Sequence, residues 1–391
     1  MKILMICDFY GIGQQYQDNM MAKYYHLSGH EVHIVSSTFG NIFDYINDNY
    51  DGAVKSYIET DLYATIYRTR YVVKYKDILK VFENIKGRIE NILPDLIYFH
   101  GVSFNMHQAI PYLKRNSSAR MIMDYHADYS NIGQSWKSVH LLHGVFRKYY
   151  LKKYLSYLSK IYPIVPNSAK FLNEIYGIPM ERMKVLPLGY DEVEAERIKE
   201  AVSRSEIREK LGVRSNDFLI VSGGKFTREK RTELLLKAVN SLNDPRIHLV
   251  LFGKSSSEDD QYEKELQAIA NDNTHFLGWL NSEKTLTYMY AADMAVFPAS
   301  QSVMWQQCIG MDLPLIVGNS GEQDPSYLNQ YDNMVILDKD DIDADEIARQ
   351  LKKILDEPAV YAKMKLGATK MAQEYLKYSA ICMTTIKDVF G

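Results

Sequence analysis

Cysteine is scarce: Cys7, Cys308 and Cys382 are the only three in 391 residues. Odd in number and far apart, they exclude a fully paired disulfide framework, and their spacing is not that of a metal-ligand set. A reducing compartment, the cytoplasm, is the expectation. Long apolar runs are missing as well. No stretch of about 18 apolar residues occurs, which excludes a transmembrane helix. The apolar opening from Met1 to Cys7 is short and has no cleavage-site pattern, so it reads as a buried strand and not as a signal peptide. An excess of one charge sign is lacking too, since 46 Lys and Arg face 49 Asp and Glu for a net charge of −3. Without a cationic field nucleic acid is not an expected partner, and any anion has to be gripped locally. Low-complexity segments and short-period repeats are absent.

What is present is a 46% hydrophobic content, too much for one ordinary core and suited to two. Short apolar runs recur between longer helical patterns at Lys2 to Cys7, Glu31 to Ser36, Leu96 to His100, Arg120 to Tyr125 and Ile161 to Val165. Strand and helix in alternation build a parallel sheet covered on both faces, and continuous apolar strands are what that covering requires. After a charged stretch from Asp191 to Lys210 the pattern begins again. The second series is Phe218 to Ser222, His248 to Phe252, His275 to Leu277, Met294 to Phe297, Leu315 to Val317 and Met334 to Leu337. Helical spacing follows from Asp341 to Leu355 and again from Val360 to Val389. The expectation is an α/β chain of two Rossmann-like, doubly wound domains divided near Leu188.

Several strand ends carry polar chemistry. Gly11-Ile-Gly13 follows the first strand and precedes a helix expected from about Gln14, and there Gly13 lets backbone approach a ligand or simply makes a tight turn. Tyr16 stands where a dinucleotide fingerprint has its third glycine, which disfavours NAD or FAD. His126 lies just past the strand ending at Tyr125, flanked by Asp124 and Asp128. It is either a plain hydrogen-bonding residue or a group beside a ligand, because open α/β sheets gather ligands at that edge. Ser168 is expected to cap the next helix. Val221-Ser-Gly-Gly224-Lys225-Phe-Thr-Arg-Glu-Lys230-Arg231 joins a strand end, glycines and cations five apart at an expected helix start. Paired ammonium groups there would meet an anion, or they are a solvated basic face. Gly253, Lys254 and Trp279 close two further strands, with Trp279 equally readable as packing. Ser302, Val303 and Met304 begin a helix whose free N–H groups would meet an anion, and Gln307 follows one turn later. Asp259-Asp260 reads as acidic surface.

The order of these blocks resembles family 4 glycosyltransferases. Met21-Ala22 with Leu27-Ser-Gly-His-Glu-Val32 is similar to that family's opening, with Gly13 matching the second glycine of its upstream loop and Ile12 replacing the first. Lys184-Val-Leu-Pro-Leu-Gly-Tyr-Asp191 resembles the block before the family's interdomain hinge. The resemblance implies a GT-B fold with both domains facing a cleft: residues 1–188 on the acceptor side, completed by a C-terminal helix over 373–391, and 189–372 on the donor side. It implies His126 beside the donor sugar, Lys225 and Lys230 on the diphosphate, and Gly224 and Ser302 to Met304 near it. Gly253, Lys254 and Trp279 would border the base, and Gln307 would stand at the second of two glutamates that in relatives holds the ribose. The first glutamate has no counterpart, because eight residues back from Gln307 is Ala299 and the loop is about three residues short.

The implied activity is retaining sugar transfer from a nucleotide diphosphate sugar, UDP- or GDP-linked, to a glycan, glycolipid or similar acceptor in cell-surface polysaccharide synthesis. No cofactor and no structural metal are implied. Two alternatives stand: a non-catalytic nucleotide-binding or partner subunit, motivated by the missing glutamate, and a nucleotide-sugar epimerase. The basic, aromatic, helix-periodic segments 146–160 and, more weakly, 68–82 are read either as packed helices with snorkelling lysines or as peripheral contacts with the anionic inner face of a membrane.

Overall fold

Side chains of the first strand alternate between two apolar surroundings. Ile3 and Met5 join one buried cluster while Leu4 and Ile6 join another, so the strand has no wet face. The computed structural model describes residues 1–48, 55–76, 78–132, 137–256, 260–299, 302–321 and 324–391. Asp259 of the acidic pair, and Ser300 and Gln301 of the shortened loop, lie outside the described residues. The chain divides into two units, Met1–Pro187 with Tyr378–Gly391, and Leu188–Lys377.

In the first unit the strands are β1 Lys2–Ile6, β2 Glu31–Ser36, β3 Tyr57–Thr60, β4 Thr65–Arg68, β5 Tyr71–Tyr75, β6 Leu79–Phe82, β7 Leu96–His100, β8 Arg120–Tyr125 and β9 Lys160–Pro163. Seven of them form one sheet in the order β3-β4-β2-β1-β7-β8-β9, parallel except at the β3–β4 edge. The order reverses between β1 and β7, and open sheets of this kind collect ligands beyond the carboxyl ends of the strands at such a switch. The C-terminal helix Tyr378–Phe390 belongs to this unit: Tyr25 Oη lies 2.5 Å from Thr385 Oγ1, and Lys184 Nζ pairs with Asp388 at 2.8 Å.

Three local expectations are corrected here. Residues 68–82 are not helical: β5 and β6 pair antiparallel, and Tyr71 stacks on Phe82 with ring centroids 4.7 Å apart. The Tyr-Val-Val run favours an extended chain, and basic and aromatic residues on two short strands imitate a helical period. The first helix is Gln17–Leu27 and not a helix from Gln14, because Gln14 N–H closes a turn on the Gly11 carbonyl at 3.2 Å and Asn19 Nδ2 donates to the same oxygen at 2.9 Å. Ser168 is not a cap. Pro166 begins the helix Pro166–Glu174 after Val165, which leaves Ser168 buried inside its first turn.

The second unit has β10 Phe218–Gly223, β11 Ile247–Phe252, β12 Thr274–Phe276, β13 Met294–Phe297, β14 Leu315–Gly318 and β15 Met334–Leu337. All pair in parallel in the order β12-β11-β10-β13-β14-β15. Its switch lies between β10 and β13. Ile220 faces the cluster with Leu235, Leu236 and Leu351, while Leu219 and Val221 face the one with Trp305 and Cys308, so helices cover both sides of the sheet. Burying each such side chain is worth about 1.5–3 kcal/mol. Asp343 caps the helix Ala344–Asp356 by accepting from Glu346 N–H.

Candidate functional site

At the switch of the second unit, β10 runs out into Gly224, whose φ of +114° suits glycine. A Cβ there would sit 3.7 Å from Met304 Sδ and 3.8 Å from Lys230 Cε, so Gly224, Lys230 and the start of the helix Met304–Gly310 share one small region. Gly253, φ +135°, approaches so closely that a Cβ on it would overlap the Gly224 carbonyl oxygen. Its role is therefore steric as well as any it has toward a ligand. The same strand ends are tied together by Gly224 N–H to Phe252 O at 2.9 Å, Phe226 N–H to Lys254 O at 3.2 Å and Gly253 N–H to Gly278 O at 2.7 Å.

Electrostatics distinguish the two lysines. Lys230 is half-buried, and burial pulls its ammonium below the ordinary lysine value while Glu229 pulls the other way. Lys225 is exposed. Neither begins a regular helix: Arg228–Lys230 is a short 3-10 turn, Arg231 is left-handed at φ +50°, and the helix is Thr232–Leu242. The amides expected to be free at residues 302–304 are partly engaged. Met304 N–H donates to Ser302 Oγ at 3.3 Å and Trp305 N–H to the Ser302 carbonyl at 3.2 Å, because a serine two residues before a helix meets its orphan donors. The first of these bonds is long, and an anion would compete with it. Lys254 is exposed and Trp279 is 73% exposed, so Trp279 is not core packing. Gln307 is half-buried, whereas Ala299 is 3% exposed and offers no polar group.

At the switch of the first unit the register sets His100 of β7 opposite Asp124 of β8. His126 stands two residues beyond Asp124 and therefore on the same face. Asp124 is fully buried and accepts from Tyr98 Oη at 2.6 Å, His100 Nδ1 at 3.0 Å and Gly101 N–H at 2.9 Å, with His126 Nε2 at 3.3 Å. The His100 and His126 ring centroids are 4.4 Å apart. Burial opposes ionisation of Asp124, but His100 and His126 outweigh it and hold the carboxyl well below its usual range. Burial likewise pulls His100 down, and the carboxylates of Asp124 and Asp18 overcome it, leaving the imidazole well above an ordinary histidine. Asp128 accepts from Ser130 N–H at 2.8 Å in a local turn. Gly13, exposed at φ +76°, has open space where a Cβ would be.

Asp18 and His100 escape a reading of the sequence by motif. The signal was there in part, because β7 ends in a histidine at the same place in the sheet as β8. Asp18 reaches the cluster only through the turn of its helix.

Residues 203–371 match the family described as glycosyl transferases group 1. That stretch contains Gly224, Lys225, Lys230, Gly253, Lys254, Trp279 and Ser302 to Gln307, but not His126. Among solved structures the chain is similar to a sucrose-phosphate synthase from Thermosynechococcus elongatus, at 16% identity and a TM-score of 0.64, covering 99% of this chain and 97% of that one. It is similar to HepE of Anabaena in complex with UDP, at 15% identity and a TM-score of 0.64 over 99% of both chains. It is also similar to a glycosyltransferase from Rickettsia africae, at 14% identity and a TM-score of 0.69 over 99% of this chain and 97% of that one. At such identities the likeness shows the fold, GT-B with two Rossmann-like domains. A comparison with curated protein sequences finds no match. Residues 203–371 of this GT-B chain therefore form a domain that matches the glycosyl transferases of group 1.

Proposed function

We propose that the chain transfers a sugar, with retention of anomeric configuration, from a UDP- or GDP-linked donor to a hydroxyl of a glycan or glycolipid in cell-surface polysaccharide synthesis, as family 4 enzymes do. The observation that carries the donor half of this reading is the approach of Gly224, Lys230 and Met304 at the switch of the matched domain. A leaving diphosphate gains negative charge as the glycosidic bond breaks. A half-buried ammonium already short of solvation stabilises that charge more in the transition state than in the ground state. Lys225, exposed, adds a point charge without the bidentate fork of arginine. Exposed Trp279 offers a ring face to the base, and Gln307 an amide to the ribose. In the first unit, Asp124 holds His126 in place, and the imidazole would act beside the donor sugar. That HepE was solved with UDP supports a uridine donor.

The buried Ala299 in place of a glutamate favours a second reading, a nucleotide-binding subunit that transfers nothing. A thermal-shift panel of UDP-, GDP- and ADP-sugars tests the donor half. A ligand at about 100 times its Kd adds roughly 2.7 kcal/mol, or on the order of 5–10 °C for a domain near this size. No shift with any donor would remove the proposal.

A peripheral membrane contact is part of the same proposal. Among the described residues no helix is long and apolar enough to cross a membrane. The helical stretch from Lys137 to Tyr154 does leave Val145, Phe146 and Tyr149 exposed, at 52%, 63% and 73%, with exposed Lys152 and Lys153 close by in sequence. Apolar side chains interleaved with lysines suit the interface of an anionic bilayer.

A further inference from the structure

We infer that His100 is a positioning residue that carries the positive charge of its cluster and so keeps His126 neutral, with hydrogen on Nε2 and a bare Nδ1. The inference rests on the reading that His126 works beside the donor sugar. Asp124 is fully buried and held in its ionised form, and a carboxylate only accepts hydrogen bonds. His100 Nδ1 at 3.0 Å and His126 Nε2 at 3.3 Å therefore both carry hydrogen toward Asp124 Oδ2. That oxygen also accepts from Tyr98 Oη at 2.6 Å. Each imidazole turned to the carboxylate in this way is either neutral or, with its second nitrogen protonated too, an imidazolium.

The two rings do not compete equally for the further proton. His100 Nδ1 meets two carboxylates, because Asp18 Oδ1 lies 2.9 Å away, whereas His126 Nε2 meets Asp124 alone among the described residues and at the longest distance. Asp18 Oδ1 is buried and accepts no hydrogen bond, so its attraction to His100 is one of charge. A buried carboxylate left without a cation is costly, which favours the His100 imidazolium. Burial opposes that imidazolium, and the carboxylates of Asp124 and Asp18 overcome it. Tyr98 on β7 and Cys7 after β1 are ionisable as well, but burial pushes both up and keeps them neutral. A second imidazolium, its ring centroid 4.4 Å from the first, would be repelled. His126 Nδ1 has no hydrogen-bond partner among the described residues, and its side chain is 33% exposed. Bare, that nitrogen accepts from a sugar hydroxyl; protonated, it cannot.

Nitrogen NMR of the full chain with isotope-labelled histidine reads the proton state of each ring, whether or not the chain transfers sugar. At neutral pH His100 should show two protonated nitrogens and His126 only Nε2. In His100→Gln the two carboxylates lose their cation, and His126 should become protonated on both nitrogens. Asp18→Asn should instead move His100 toward the neutral form and leave the His126 tautomer as it is. Circular dichroism and melting establish that each variant is folded, and the wild-type and Asp18→Asn spectra keep the test valid even if His100→Gln unfolds. Nucleoside diphosphate release by His100→Gln should fall at least about tenfold at neutral pH and recover toward about pH 9, where His126 sheds the added proton. A packing role alone would give a loss that no pH restores. That result, a charged His126 in the wild type, or a neutral one in His100→Gln overturns the inference. Absence of release by the wild type from any donor overturns sugar transfer instead, and the spectra still decide where the proton sits.

Discussion

Lys230→Ala separates phosphate recognition from every other source of affinity. At about 4 Å, and with an effective dielectric of ~20, an ammonium and one phosphate charge attract by about 4 kcal/mol. Desolvation and water exchange reduce this to the net ~1.5–3 kcal/mol typical of a hydrogen bond to a charged group. The expected loss in UDP or GDP affinity is therefore roughly 10- to 150-fold. Uridine or guanosine, which lack the diphosphate, should lose less than about twofold by the same reasoning. Calorimetric titration of wild type and variant with the nucleotide and its nucleoside reads both numbers. The free protein should not be destabilised at neutral pH by loss of this charge. Burial lowers the folded pKa of Lys230 below its unfolded value, so the unfolded chain binds the proton more readily and the charge opposes folding. Equal losses for nucleotide and nucleoside, or no loss for either, would refute the phosphate role.

Three further outcomes follow from the structure. Gly253→Ala places a methyl group against the Gly224 carbonyl at φ +135° and should cost about 2–6 kcal/mol, whereas Gly13→Ala, with open space at φ +76°, should cost only about 1–2 kcal/mol; urea unfolding ranks them, and a reversed order would contradict the packing described. His143 is buried and accepts from Tyr176 Oη at 2.8 Å in its neutral form, and burial followed by Arg147 lowers its pKa to about 4. The unfolded chain binds the proton first on acidification, so stability falls between about pH 6.5 and about 4, by up to roughly 3 kcal/mol. His143→Gln should lose that part of the pH dependence, and an unchanged profile in urea melts would show that His143 is protonated when folded. Replacing Phe146 and Tyr149 by serine should abolish co-sedimentation with vesicles containing phosphatidylserine; equal sedimentation of wild type with purely zwitterionic vesicles would remove the electrostatic part of that reading.

The sheets were legible in the sequence because buried parallel strands must be apolar on both faces. Lys2-Ile-Leu-Met-Ile6 and Ile247-His-Leu-Val-Leu-Phe252 announce themselves in that way. Edge and hairpin strands face water in part and lack that signature, which is why β3 to β6 went unread and residues 68–82 read as a helix. The glycine after β10 was legible as a turn, since a strand end at positive φ suits glycine. The partnering of Met304 N–H with Ser302 Oγ was not, because whether a helix-start amide is free depends on a side-chain rotamer that spacing does not encode. His126 could be placed by its position after a strand. Its link to His100 and Asp18 needs the register of β7 against β8 and the pose of a helix, both of them products of tertiary packing.

Sugar transfer itself is tested most directly by the release of nucleoside diphosphate from each sugar donor, with and without added acceptor, in wild type and in Lys230→Ala. Release from at least one UDP- or GDP-sugar, reduced tenfold or more in the variant, is the expected result. Tight binding of the nucleotide with no release from any donor would contradict catalysis and leave a binding subunit.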